Sequence, residues 1–330
     1  TTVDDPDGLG RIRRGGKKGG ILGIVEHKDA TEDERKIDEI NAGIYAVRCP
    51  LIFDLLRQVK NDNSQNEYYL PDILALALQD GLKVGTYHTT DGRALLGVNS
   101  RSQLASSEGI MQTRLRKKAM DGGVTLTDPN TTYFSHDTQL GQDVTVGPNT
   151  VFGAGVSVGS NVVIEGNAHL TNTQIHDGAH LLPFCHIEGA HLRSDASVGP
   201  FTRLRSGAHL QSGAKAGTFV EVKKSTIGKG SKVNHLSYIG DAEIGENSNI
   251  GAGCITANYD GVNKHKTTIG DRVHVGSLNA LIAPVTLHDD AMTGAGATII
   301  KDVPGNTLSM TKSEQLFRIN VRAQQKDNSA

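Results

Sequence analysis

The chain has 330 residues, and its 34 Lys and Arg against 36 Asp and Glu give a formal net charge of -2, so no basic face for a nucleic-acid partner is expected. Aromatics are 4%, Trp is absent and 39 residues are glycine, which argues for many turns instead of a core built on large rings. The apolar run ILALAL at 73–78 is far short of the roughly 20 residues of a membrane-spanning helix, so no membrane partner is expected either.

The first residue is Thr1 and no leader pattern follows; TTVDDPDGLGRI reads like the inside of a domain, so the chain is expected to be truncated at its start. Residues 1 to about 128 then mix strand-like segments (ILGIVEH at 21–27, NAGIYAV at 41–47, KVGTYHT at 83–89) with helical ones, the pattern of an α/β half. PLIFDLLRQV at 50–59 and PDILALALQDG at 71–81 predict two short helices covering a sheet, the second opening at Pro71 and closing at Gly81. SRSQLASSEGIMQTRLRKKAMDGG at 100–123 predicts a charged connecting helix that ends at Gly122-Gly123, with a domain boundary near Asp128-Pro129. Cys49, Cys185 and Cys254 lie far apart without C-x-x-C spacing, which argues against a disulfide framework or a cysteine zinc site and for a reducing, cytoplasmic setting.

From Leu140 the period changes. Positions that are almost all aliphatic recur every six residues at 140, 146, 152, 158, 164 and 170, and with four five-residue steps continue to 256; after an irregular stretch they run from 269 to 299. Three sixes make one triangular coil of about 18 residues that stacks on its neighbours at about 4.8 Å. The 27 positions divide into nine coils, a parallel β-helix about 40 Å tall whose hand the local pattern leaves open.

Stacking then brings residues about 18 apart into vertical register. One column holds 204, 222, 239 and 256, which puts Arg205 and Lys223 one above the other at one edge. Two cations about 5 Å apart repel by roughly 1–3 kcal/mol, so the edge calls for an anion such as a phosphate, or for carboxylates such as Glu221. The bland reading is two side chains snorkelling apart into water. A second column holds 216, 233, 250, 275 and 293, and two residues beyond each lies one track: Thr218, His235, Ala252, Ser277 and Ala295. A histidine with small residues above it leaves a groove for an extended acyl carrier such as coenzyme A, with the imidazole as general base for an attacking amine. The alternative is a plain turn histidine. Tyr238 and Asn249 should point outward near the same face, and the interruption ANYDGVNKHKTT after Thr256 carries Lys264 as a third cation at the Arg205 and Lys223 edge. A narrow prism makes a poor pocket alone, so a homotrimer is expected to close clefts between prisms. His169 with His186, and His191 with His209, should stack outward; because the two pairs fall on different columns, exposed ladders are preferred to a zinc site.

The strings GPFTRLRSGA (199–208), GTFVEVKKSTIGKGSKVNHLSYIGDAEIGENSNIGAG (217–253), NYDGVNKHKT (258–267), GIVEHKDAT (23–31) and EINAGIY (39–45) closely resemble the bifunctional bacterial N-acetylglucosamine-1-phosphate uridylyltransferase/glucosamine-1-phosphate acetyltransferase family. The resemblance implies a mainly β fold, a left-handed parallel β-helix of hexapeptide repeats preceded by a truncated, Rossmann-like α/β nucleotidyltransferase domain. It implies a partial uridylyltransferase domain at 1–99, a helical linker at 100–128, the acetyltransferase β-helix at 129–305 and a C-terminal arm at 306–330. In site terms it implies His235 as the base, Arg205, Lys223, Tyr238, Asn249 and Lys264 on the sugar phosphate, and Ala252, Asn258, Tyr259, Ser277, Ala295 and Lys312 on acetyl-CoA. Trimerisation would complete each site with a neighbour's loop and arm.

Two departures matter. Lys312 stands where the family commonly has Arg, keeping the charge but losing the bidentate fork. The opening lacks the family's Gly-rich nucleotide loop and one Asp ligand for magnesium; Gly10, Glu26 and Asn41 match sugar-contacting positions of the first domain, and Asn99 matches its other magnesium ligand. One of two protein ligands is an incomplete metal site, so uridylyl transfer is expected to be absent here. The competing classes are a non-catalytic trimeric scaffold and an acetyltransferase for another amine.

Overall fold

The computed structural model describes residues 1–15, 19–95, 97–311 and 315. The chain divides into two units, Thr1–Met111 and Gln112–Ala330.

In the first unit, strands β1 (Arg11–Arg14) and β2 (Ile21–Val25) pair antiparallel. Helix α1 (Glu32–Arg35) opens with a full capping box, Thr31 and Glu34 each satisfying the other's backbone N–H. Helices α2 (Cys49–Leu56) and α3 (Asp72–Gln79) share a small core of Leu55, Val59, Ile73 and Ala77, and α3 lies against β2. Segments 41–47 and 83–89, expected as strands, form none. A strand requires a neighbour for its N–H and C=O groups, and among the described residues β1 and β2 pair with each other while these segments pair with nothing regular. Ile44 stays 75% and Tyr87 93% exposed, and both line an open cavity of about 450 Å³ with Ile12, Ile40 and Leu74.

The second unit is a left-handed parallel β-helix of hexapeptide repeats. Three parallel sheets of eleven, ten and nine short strands make faces 1, 2 and 3, and each coil crosses them in that order. Face 1 carries Val198, Ala216, Val233 and Ile250, face 2 Leu204, Val222 and Ile239, and face 3 Leu210, Ile227 and Ile244. The six-residue positions from Val146 to Ile299 are all buried, whereas Leu140 is half-buried. There are about ten coils, not nine. Strands 125–126, 133–134 and 308–309 extend the faces further: Phe134 continues the six-residue spacing below Leu140, Leu126 stands outside it, and in the last strand Ser309 takes the core column beside Thr293 while Leu308 points outward.

Coils this close restrict their corners. At Gly217 a Cβ would come within 2.2 Å of the Asn234 carbonyl oxygen, so the repeat's small position is a steric requirement. Many remaining corners take the left-handed conformation with Asn or Asp, as at Asn161, Asn247 and Asp290. The open lower end is covered by the last turns of helix α4 (Arg101–Asp121). There the Gln112 side chain exchanges two hydrogen bonds with the Phe134 backbone (2.7 and 2.9 Å), Arg116 donates to the Thr132 carbonyl, and Leu115 and Ala119 pack on the core. Such a cap is what a solenoid needs to end in water. Among the described residues no helix is long and apolar enough to cross a membrane.

Candidate functional site

Face 2 is bounded by two chemically different edges. At the edge between faces 1 and 2 the chain leaves buried Val233, passes exposed His235 and turns at Leu236, whose φ is +52°. The His235 carbonyl is held by Ser237 Oγ (2.7 Å) and by the Gly253 N–H of the next coil (3.1 Å), which fixes its backbone while the ring remains exposed. Below, His235 is in register with Thr218. Above, Leu278 N–H donates to the Ala252 carbonyl and Gly296 N–H to the Ser277 carbonyl (2.7 and 2.8 Å), so Thr218, His235, Ala252, Ser277 and Ala295 climb one edge. The column forms because every coil places its second residue after the face 1 core position at this corner.

The edge between faces 2 and 3 is cationic. Arg205 follows Leu204 and Lys223 follows Val222, whose registers stack them. Arg205 pairs with Glu221 at 2.9 Å, the carboxylate that offsets part of the repulsion. One coil up, Gly240 pairs with Lys223 and leaves space for Tyr238: a Cβ on Gly240 would meet the Tyr238 hydroxyl at 2.4 Å. The Tyr238 ring therefore lies along face 2 with its hydroxyl toward the cations.

The loop after Ala257 leaves from this same edge. Asp260 accepts from the N–H groups of Val262 and Asn263 and from His265 Nε2 (2.8, 2.6 and 2.6 Å), and these donors hold its carboxyl down at about 2. The Asn258 carbonyl accepts from His265 N–H, and Tyr259 and Lys264 form a bridge across the loop. This closure brings Lys264 to Lys223, whose neighbouring ammonium holds Lys264 below the usual lysine range.

Other expected residues stand apart. Asn249 lies on face 1, between Lys232 and His274, so it does not share a face with Tyr238 within one chain. The expectation failed because both residues precede a core position, but of different columns. Asn258 and Tyr259 belong to the cationic edge while Ala252, Ser277 and Ala295 belong to the His235 edge, with face 2 between them. Lys312 lies outside the described residues. In the first unit the Asn41 N–H donates to the Gly10 carbonyl (2.8 Å), and a Cβ on Gly10 would touch the Glu26 carboxylate at 3.0 Å, so these three adjoin; burial, then Asp29 and Asp72, push the Glu26 carboxyl up. Asn99 donates its backbone N–H to Gln103 Oε1 at the start of α4. Among the described residues no three His, Cys, Asp or Glu side chains converge to hold a metal. The histidine pairs stack as ladders, His169 with His186 on face 2 (5.3 Å) and His191 with His209 on face 3 (4.9 Å).

Two features escaped the sequence reading. The turn residues three beyond five of the face 1 core positions are apolar, exposed and in the left-handed region, at Phe184, Phe201, Phe219, Leu236 and Leu278, and the three phenylalanines stack at 4.7 and 5.0 Å. The signal was their common spacing after 181, 198, 216, 233 and 275. The other is Asp241, a corner residue whose carboxylate accepts from Asn258 Nδ2. Burial pushes the Cys185 thiol up to about 11 and raises that of Cys254, which leaves both as packing groups and not as nucleophiles.

Residues 137–172 match the family described as bacterial transferase hexapeptide (six repeats). The chain is 45% identical over 324 residues to "Bifunctional protein GlmU" of Acinetobacter baylyi, covering 98% of this chain and 71% of that protein. The protein of that name from Shouchella clausii is 42% identical over 316 residues (96% of this chain, 69% of the relative), and that from Paramagnetospirillum magneticum is 45% identical over 312 (94% and 65%). Among solved structures, the Arabidopsis UDP-N-acetylglucosamine acyltransferase aligns with a TM-score of 0.44 at 12% identity, over 61% of this chain and 76% of that one. A hexapeptide β-helix at this level of identity over nearly its whole length places the chain in the family of bifunctional GlmU proteins.

Proposed function

We propose that the chain transfers the acetyl group of acetyl-CoA to the amine of glucosamine 1-phosphate, giving N-acetylglucosamine 1-phosphate and free CoA. The observation that carries this reading is the like-charge contact of Lys223 and Lys264, with Arg205 stacked beneath. Such a cluster is stabilised by a dianion, and a sugar phosphate supplies one together with hydroxyls for Tyr238. The small-residue track above His235 accommodates an extended pantetheine arm running toward Ala295.

The amine nitrogen attacks the thioester carbonyl carbon while His235 takes its proton. The tetrahedral intermediate collapses with cleavage of the C–S bond, and the thiolate leaves with a proton returned from the imidazolium. A backbone N–H at the His235 edge supports the oxyanion. Transfer is direct, in keeping with the raised thiol values of Cys185 and Cys254. Because Asn249 lies on another face and Asn258 and Tyr259 at another edge than the acyl track, a homotrimer in which neighbouring prisms close the cleft reconciles all of these with one site. The product is the precursor of UDP-N-acetylglucosamine. With Asn99 as the single magnesium donor of the set, this 330-residue polypeptide is not expected to form that UDP-sugar from UTP. Magnesium-dependent formation by it would overturn that part.

The base assignment is tested by His235→Ala. Turnover should fall on the order of 10²-fold or more with the mass in solution unchanged, and full turnover in that variant would remove His235 from the mechanism.

A further inference from the structure

The loop that brings Lys264 to Lys223 has two roots, and one residue touches both. Asp241 occupies the corner between faces 2 and 3 with φ +48°. Its N–H donates to the Lys223 carbonyl of the coil below and its carbonyl accepts from Thr267 N–H, where the loop rejoins the helix (both 3.1 Å). Its side chain accepts from Nδ2 of Asn258, where the loop departs. A carboxylate has no proton to give, so this contact also fixes which way the Asn258 amide is turned: nitrogen toward Asp241, oxygen away. Asn258 is 8% exposed, and its carbonyl in turn holds His265 N–H (2.8 Å), the residue that follows Lys264. Asp241, Lys224, Lys264 and Lys266 line one groove of about 410 Å³ beside the loop.

We propose that Asp241 is a positioning residue, whose carboxylate locks the loop root through Asn258 and thereby sets Lys264 against Lys223 where the substrate phosphate docks. The proposal rests on the sugar-phosphate reading of that edge. It distinguishes a geometric role from an electrostatic one, because the Asp241 charge also acts on Lys264. A carboxylate that only offsets the lysines weakens anion binding, and its removal would tighten it; a carboxylate that places Lys264 strengthens binding, and its removal loosens it.

Two substitutions separate these roles while respecting the left-handed backbone, which both Gly and Asn adopt. Asp241→Gly removes the side chain, whereas Asp241→Asn keeps an acceptor for Asn258 and removes the charge. The measurements are KM and kcat for glucosamine 1-phosphate, and hydrogen exchange of the Asn263 and His265 amides. The expected result for Asp241→Gly is a KM raised about tenfold, kcat within about threefold and faster exchange of both amides, with Asp241→Asn within about twofold of the parent in each. A lower KM in both variants, or parental KM and exchange in Asp241→Gly, would overturn the proposal. If the parent protein does not acetylate glucosamine 1-phosphate, the functional reading fails by itself, and the exchange rates still decide whether Asp241 holds the loop.

Discussion

Gly251 offers the most direct perturbation of the acyl track, because it lies between core Ile250 and Ala252 and its surroundings are backbone. A Cβ there would stand 2.6 Å from the Ser277 nitrogen, 2.7 Å from the Gly276 carbonyl carbon and 2.8 Å from Ser277 Cα. Ordinary contact begins at 3.4 Å, so in Gly251→Ala two coils must part by about 0.8 Å at the edge that carries Ala252 and Ser277. No side chain can rotate aside to absorb this. Overpacking of this kind costs about 1–3 kcal/mol, and with roughly 2–4 °C of Tm per kcal/mol for a unit of this size the melting temperature should fall by about 2–12 °C. Displacement approaching 1 Å at a reacting geometry is worth up to about 10²-fold in rate. Steady-state kinetics with varied acetyl-CoA should therefore show kcat/KM down by about 10- to 100-fold. The affinity for glucosamine 1-phosphate, read by calorimetric titration of the free protein, should change less because the cations lie at the other edge of face 2. A Gly251→Ala protein with parental Tm and parental kcat/KM for acetyl-CoA would refute the close-stacking argument.

Leu204→Ala empties a fully buried position in the middle of face 2, between Ile187 and Val222. It should lower stability by about 3–5 kcal/mol in chemical denaturation, and a loss under 1 kcal/mol would mean the column is not close-packed. The Lys223 and Lys264 pair gives a pH prediction. A lysine held below its ordinary value of 10.5 loses its charge earlier as pH rises, and with it the attraction for phosphate. KM for the sugar phosphate should thus climb on the alkaline side before the ordinary lysine range is reached, and Lys264→Met should flatten that climb. Folding runs the opposite way: the repulsion is a penalty below the lowered value and is relieved as pH rises from it toward the ordinary one, so stability is gained where phosphate binding is lost.

The solenoid was legible because the constraint that builds it is periodic. Each buried aliphatic must meet its neighbours about 18 residues away, so register follows from counting, and Leu204, Val222 and Ile239 pair as the count requires. His235 and its small-residue track, and the stacking of Arg205 and Lys223, came from the same count. Assignment to a face was less secure where two residues stand in equivalent places of different columns, which is how Tyr238 and Asn249 came to be expected on one face. The coil ends were missed because Leu126 stands outside the six-residue spacing and because the last strand puts Ser309, not an aliphatic, in register with Thr293. Strands at 41–47 and 83–89 were read from local composition, but a strand exists only with a partner, and composition carries no information about one. The role of Asp241 was invisible because it depends on a hydrogen bond across an irregular loop, where no period operates.

The central claim is acetyl transfer to a sugar phosphate at the two edges of face 2. It is tested most directly by following thiol release from acetyl-CoA by the purified protein, with and without glucosamine 1-phosphate, alongside the protein's mass in solution. Rapid release that depends on the sugar phosphate, from a trimer, is the predicted result. An intact trimer that releases no thiol when glucosamine 1-phosphate is added would contradict it.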